Sequence, residues 1–170
     1  MAPLIKIDHS FISAAAANTV RFCSRCGEPA GDPPRGERPL NQTRVCGICG
    51  MGMLLNCLRE ALPGAGAAFL IATAELRVSA VSEPAEGLFG TEQHLLGTPL
   101  GEILTSPIGE DSLSRTVARA ALRNREPVVL PVRGAGSAAR AKGMLAARVS
   151  TCGPPRAALV TVEPSALGRR

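Results

Sequence analysis

At 170 residues, 45% hydrophobic and 19% charged, the chain has the composition of a folded domain with room for one small extra module. Its net charge of +5 is split almost evenly on either side of Glu60, so no segment carries the clustered basic stripe of a nucleic-acid footprint. Four Phe, no Trp and no Tyr leave little for base stacking, and no apolar run approaches the ~18 residues of a membrane span.

The first 22 residues hold a mild imitation of a signal peptide, Lys6 followed by Phe11-Ile-Ser-Ala-Ala-Ala-Ala. Asp8 and His9 interrupt it, and a short helix starting near Ser10 is the expected structure. Next come two matched pairs, Cys23-Ser-Arg-Cys26-Gly27 and Cys46-Gly-Ile-Cys49-Gly50, with nineteen residues between Cys26 and Cys46. A C-x-x-C turn offers two thiolates from one tight loop, and two such turns close a tetrahedral shell around Zn²⁺. Cys23, Cys26, Cys46 and Cys49 are therefore the expected metal ligands. A closed Cys₄ shell leaves no position for water or substrate, so the zinc is expected to be structural. It also needs thiolates, which points to a reducing compartment, the cytoplasm.

Between the pairs, Pro29 to Pro39 has loop composition. Met51, Leu54, Leu55, Leu58 and Leu62 then recur at helical spacing until Pro63-Gly64, which predicts a helix over 51–62 opening at the second cysteine pair. Such a module, 23–62, is similar to a zinc ribbon or a treble-clef finger. Its leucine stripe predicts a homodimer with the helix at or beside the interface.

Past Gly66 the pattern changes. Ala67 to Thr73 predicts a buried strand and Leu76 to Ser82 a half-buried one. Short helices follow at Pro84 to Phe89 and within Gln93 to Leu104. A longer helix runs from about Asp111 to Asn124, capped by Asp111 or Ser112, with Leu113, Val117, Ala120 and Ala121 inward. Three strands close the chain: Pro127 to Arg133, Lys142 to Thr151 and Arg156 to Glu163.

This order, over 67–163, resembles a PAS domain. Val78-Ser-Ala-Val-Ser-Glu-Pro-Ala-Glu-Gly-Leu-Phe-Gly90 is similar to the family's segment in which a strand runs into N-x-A-x-x-x-x-G. Leu95-Leu-Gly-Thr-Pro-Leu-Gly-Glu-Ile-Leu104 is similar to its L-x-G-x-P-x-x-x-L/I-L helix. Where the family often has asparagine, Ser82 or Glu83 stands. The resemblance implies an α+β fold, a five-stranded antiparallel sheet with helices on one face. It is expected to fold without the zinc module.

The resemblance also implies a sensory or partner-pairing role. The cysteine motif of flavin-binding members is absent, and the lone histidine of the region, His94, reads as a surface or capping residue rather than a haem ligand. Phe69, Phe89, Leu100, Ile103 and Leu113 could line a small apolar cavity or simply fill a core, so the ligand is left unnamed. No Ser/His/acid set, paired carboxylates or phosphate-cradling loop suggests catalysis, and Gly134-Ala-Gly136 reads as a turn. The expected protein is a non-catalytic zinc-binding PAS regulator acting through protein contacts. The alternatives are a DNA-binding regulator using the zinc module and a thiol redox sensor using Cys57 or Cys152. Arg115, Arg119, Arg123 and Arg125 lie at helical spacing and read as one solvated face.

Overall fold

A computed structural model describes residues 18–31, 44–123, 126–136 and 143–164. The helix expected near Ser10 and most of the loop from Pro29 to Pro39 lie outside the described residues. In chain order the strands are β1 (Thr19–Cys23), β2 (Leu54–Leu58), β3 (Ala68–Ala72), β4 (Val78–Val81), β5 (Leu104–Thr105), β6 (Val128–Gly134), β7 (Leu145–Gly153) and β8 (Ala157–Pro164). Helices α1 (Glu83–Phe89), α2 (Glu92–Leu95) and α3 (Glu110–Leu122) lie between β4 and β6. Single 3-10 turns occupy Arg59–Ala61 and Leu100–Glu102.

Among the described residues every strand pairing is antiparallel, and eight strands form one curled sheet rather than the five expected. Five of them, in the order β4-β3-β8-β7-β6, are the strands anticipated in the second half of the chain. The others are the two-residue β5, paired to the end of β6, and the hairpin-like pair β1–β2. The nine-residue β7 forks along one edge. Its first part, Leu145 to Val149, pairs with β6, and its end pairs with β2 through Cys57 opposite Cys152 and Asn56 opposite Gly153.

The segment 51–62 is therefore not a helix. Leu54–Leu58 is a strand whose inner side chains alternate, Leu55 and Cys57 buried and Asn56 exposed. Its partner β1 supplies the ladder from Thr19↔Leu58 to Cys23↔Leu54. A run as short as Leu-Leu-Asn-Cys-Leu does not by its period separate helix from strand; pairing with β1 and β7 selects the extended form.

The sheet is buried on both faces at its centre. All five residues of β3 are buried, and so are the first six of β8. On one face Leu70, Val160, Val149, Ala147 and Val132 pack with Phe89, Leu100, Ile103, Leu113 and Val117 from the helical segment. On the other, Phe69, Ile71, Leu159 and Ala157 pack with Phe22, Leu55 and Cys57 of the β1–β2 pair and with Cys152. Phe22 meets Phe69 edge-on, ring centroids 5.9 Å apart and planes at 71°. Phe69 thus faces away from Phe89, Leu100, Ile103 and Leu113, and is no part of a cavity they could share.

Ser82 takes over the turn where the family often has asparagine. Fully buried, its hydroxyl accepts the Phe69 N–H at 2.8 Å and the Ala85 N–H at 3.4 Å, tying β3 to the start of α1. The inner face of α3 is as expected, with Leu113, Val117, Ala120 and Ala121 all buried. Its N-cap is Gly109, with no side-chain cap bond, in place of Asp111 or Ser112. The helix face bearing Arg115, Arg119 and Arg123 is exposed; Arg125 lies outside the described residues.

The covering of the outer face makes two measurable demands. Phe22→Ala and Phe69→Ala should each cost about 3–5 kcal/mol in urea unfolding, because each leaves a hole between the β1–β2 pair and the sheet. A 67–163 fragment uncovers Phe69, Ile71 and Leu159 together, and should bind a hydrophobic dye that the full chain does not. Equal dye binding by both would mean that the outer face needs no cover.

Candidate metal centre

The two cysteine pairs are built alike. Cys23 ends β1, and the chain turns so that the Gly27 N–H reaches the Cys23 carbonyl at 3.0 Å; in the second turn the Gly50 N–H reaches the Cys46 carbonyl, also at 3.0 Å. Gly27 and Gly50 carry φ of +75° and +70°, the left-handed region in which a side chain is strained. Each turn is closed by a short return. Pro29 bridges back to Phe22, and Met53 to Val45. The two turns are also clasped to each other, since Ser24 N–H donates to the Met53 carbonyl at 2.8 Å and Met53 N–H to the Ser24 hydroxyl at 3.0 Å.

This clasp brings Cys23, Cys26, Cys46 and Cys49 together, all four sulfurs within 4.8 Å of one another. Cys23 Sγ lies 3.6 Å from Cys49 Sγ, and Cys26 Sγ lies 3.9 Å from Cys46 Sγ. Four thiolates at about 2.3 Å from a tetrahedral zinc stand about 3.8 Å from one another, so the donor set fits such an ion. Backbone N–H groups already point at the sulfurs: Arg25 (3.3 Å) and Cys26 (3.5 Å) to Cys23, Ile48 (3.3 Å) to Cys46, and Gly52 (3.4 Å) to Cys49. Such donors stabilise thiolate charge. The cluster could hold a metal ion.

The thiols do not titrate alike. The Gly52 N–H, helped by that of Met51, draws Cys49 down to about 6. Burial pushes Cys26 up to about 12, and burial also raises Cys23 against the pull of the Cys26 and Arg25 N–H groups. At neutral pH, then, Cys49 rests as a thiolate while Cys23 and Cys26 keep protons that a metal must displace.

Four contributors, Gly52, Arg25, Glu86 and Glu92, were not among the expected ligands. Gly52 is buried, and a Cβ there would run into Cys23 Sγ and the Arg25 backbone, so its lack of a side chain is a packing requirement. Arg25, the third residue of the first pair, reaches out of the module. Its guanidinium donates to Glu92 at 2.6 Å and Glu86 at 3.4 Å, and its carbonyl accepts the Glu83 N–H at 3.1 Å. Glu86 in turn accepts the Glu92 N–H at 2.7 Å. The first turn is thereby fastened to α1 and α2. Gly52 could have been suspected from the sequence run Cys49-Gly-Met-Gly52; nothing local marks Glu86 or Glu92.

The remaining singled-out residues lie apart from the cluster. Cys57 and Cys152 are buried on the outer face of the sheet. His94 is an exposed surface residue within the single turn of α2, its Nδ1 2.7 Å from the hydroxyl of Thr91, which caps that helix. A cavity of about 370 Å³ opens beside it, lined by Phe89, Leu95, Thr98, Glu102 and Ile103. No helix among the described residues is long and apolar enough to cross a membrane.

No protein-family model matches the chain, and no curated protein does. Among solved structures, the chain is similar to the crystal structure of a PAS domain from a two-component sensor histidine kinase, at 12% identity and a TM-score of 0.42. That likeness covers 62% of this chain and 91% of the other.

Metal affinity should fall as pH falls, because protons and metal compete for the same sulfurs. With Cys23 and Cys26 each giving up a proton, it should change at least about a hundredfold per pH unit between about pH 6 and pH 8, and more steeply below about 6, where Cys49 also protonates. Competition with a chelator of known pH dependence measures this, and a flat profile would contradict the assignment. Gly52→Ala keeps all four ligands yet should weaken binding by about tenfold to a hundredfold, the scale of losing a supporting contact.

Proposed function

We propose that this chain is a non-catalytic regulatory protein in which a structural zinc ribbon is built onto a PAS-type sensory domain, working through a protein partner in the cytoplasm. The observation that carries the reading is the fastening of the first cysteine turn to α1 and α2 through Arg25, Glu83, Glu86 and Glu92. A metal module meant only as a tether has no need of such bonds. Here the state of the four thiols is mechanically connected to the helices that border the cavity at Phe89 and Leu95.

Two further observations support it. The element order of the second half, its five antiparallel strands and the helices packed on one face agree with what the PAS resemblance implied. β2 also speaks for the ribbon form, because the second cysteine turn leads into this strand and not into the helix of a treble clef.

The partner class follows from the tip of the second turn. Ile48 and Met51 are each 69% exposed, and Val45 and Met53 beside them are exposed too. A phosphate backbone is held by several cations; an apolar tip suits a protein surface. The homodimer first argued from a helix over 51–62 has no helix to rest on, since Leu55 is spent on the core with Phe22 and Phe69. A second copy meeting at Ile48 and Met51 is the form of it that these exposed side chains support.

Three measurements test the reading. Protein purified reduced and without chelator should carry one zinc per chain, and content well below that removes the ribbon. Chelation should raise hydrogen exchange across 83–95, and Arg25→Ala should raise it with the metal still bound; unchanged exchange in both removes the coupling. Sedimentation at tens of micromolar should give a dimer that Met51→Glu dissociates, and a monomeric wild type removes the homodimer.

A further inference from the structure

Cys57 and Cys152 stand outside the metal cluster, and the fold sets them face to face. They are direct partners in the β2–β7 ladder, at the junction where the β1–β2 pair joins the larger sheet. Directly opposed residues of an antiparallel pair have Cα atoms about 4.5–5.5 Å apart with side chains on the same face. That spacing lies within the roughly 4.4–6.8 Å that a disulfide bridges. Both belong to the same buried cluster, 2% and 4% exposed, and both are thiols.

Burial alone would make the pair ordinary core residues. A second feature separates them from that: a cavity of about 260 Å³ whose walls include both cysteines, together with Thr19, Asn56, Thr151 and Arg156. It has room for a small oxidant, and Thr19, Asn56, Thr151 and Arg156 give its mixed lining polar groups that a hydrated one can meet.

We propose that Cys57 and Cys152 are a redox modification site, closed by a small peroxide into a cross-strand disulfide that locks the β1–β2 pair onto β7. One thiol, losing its proton, attacks a peroxide oxygen; the O–O bond breaks, leaving a sulfenic acid and one water. The second thiol attacks that sulfur, the S–O bond breaks, and a second water leaves. In sum two thiols and hydrogen peroxide yield one disulfide and two waters, with sulfur oxidised and peroxide oxygen reduced. Burial pushes both thiols up to about 12, Cys57 adding to the rise at Cys152, so the pair rests protonated and reacts slowly beside an exposed thiol.

The site stands independently of the metal reading, and its test keeps the two apart. Full-length protein loaded with zinc is treated with hydrogen peroxide while released metal is followed with a chromogenic chelator. Thiols are then alkylated under denaturing conditions, and the chain is digested without reductant. The expected result is a fall from six alkylatable thiols to four with zinc retained, and a linked peptide pair containing Cys57 and Cys152 that dithiothreitol separates. The oxidised wild type should also unfold at higher urea than the reduced form, a shift absent in Cys57→Ala and Cys152→Ala. If the alanine variants do not fold, the peptide map of the wild type decides alone. Both cysteines alkylated after the knuckle thiols have been oxidised and zinc lost, or either linked to Cys23, Cys26, Cys46 or Cys49, overturns the proposal.

Discussion

A strand buried on both faces needs two covers, and β3 and β8 are such strands. The helical segment supplies one cover through Leu113, Val117, Phe89 and Ile103. The other comes from a small piece of chain, since the β1–β2 pair contributes Phe22, Leu55 and Cys57 to the shared core, with Val20 half-buried beside them. Segments this small seldom hold their shape through apolar burial alone and rely on a metal or a covalent tie. The four sulfurs are therefore coupled to the stability of the outer face: what orders the cysteine turns also keeps Phe22 seated against Phe69.

The same cover carries an ionic fastening at its rim. Arg25 is 21% exposed and its partners Glu86 and Glu92 are 25% and 34%, so the pair of contacts is partly shielded from solvent. Exposed ion pairs contribute little because water screens them. These serve chiefly as geometry, a planar guanidinium fixing one cysteine turn against two helices.

The cysteine cluster was legible because its two C-x-x-C turns carry a local spacing, and the strands of the second half because half-buried strands alternate. The segment 51–62 was not, because a run as short as Leu54 to Leu58 does not by its period separate helix from strand, and the deciding partner, β1, lies about thirty residues upstream with the cysteine turns between. The facing of Phe69 was equally hidden. In Ala68-Phe-Leu-Ile-Ala72 every residue is buried, so no polar position shows which side chains point to which cover. Arg25 looked like one charge among many until the fold carried Glu86 and Glu92 to it. The cap of α3 shows a smaller version of the same limit: Asp111 and Ser112 are good capping residues, but the chain enters the helix at Gly109.

The fork in β7 makes its edge a shared resource. β6 runs along it only as far as Val128 opposite Val149, and the next residue toward β2 is Pro127. Past Val149 that edge is taken by β2, opposite Cys152 and Gly153. Where one strand stops, the other finds its berth. The two halves of the molecule therefore meet where β6 runs out, at a point set by a strand that belongs to neither cysteine turn nor cover.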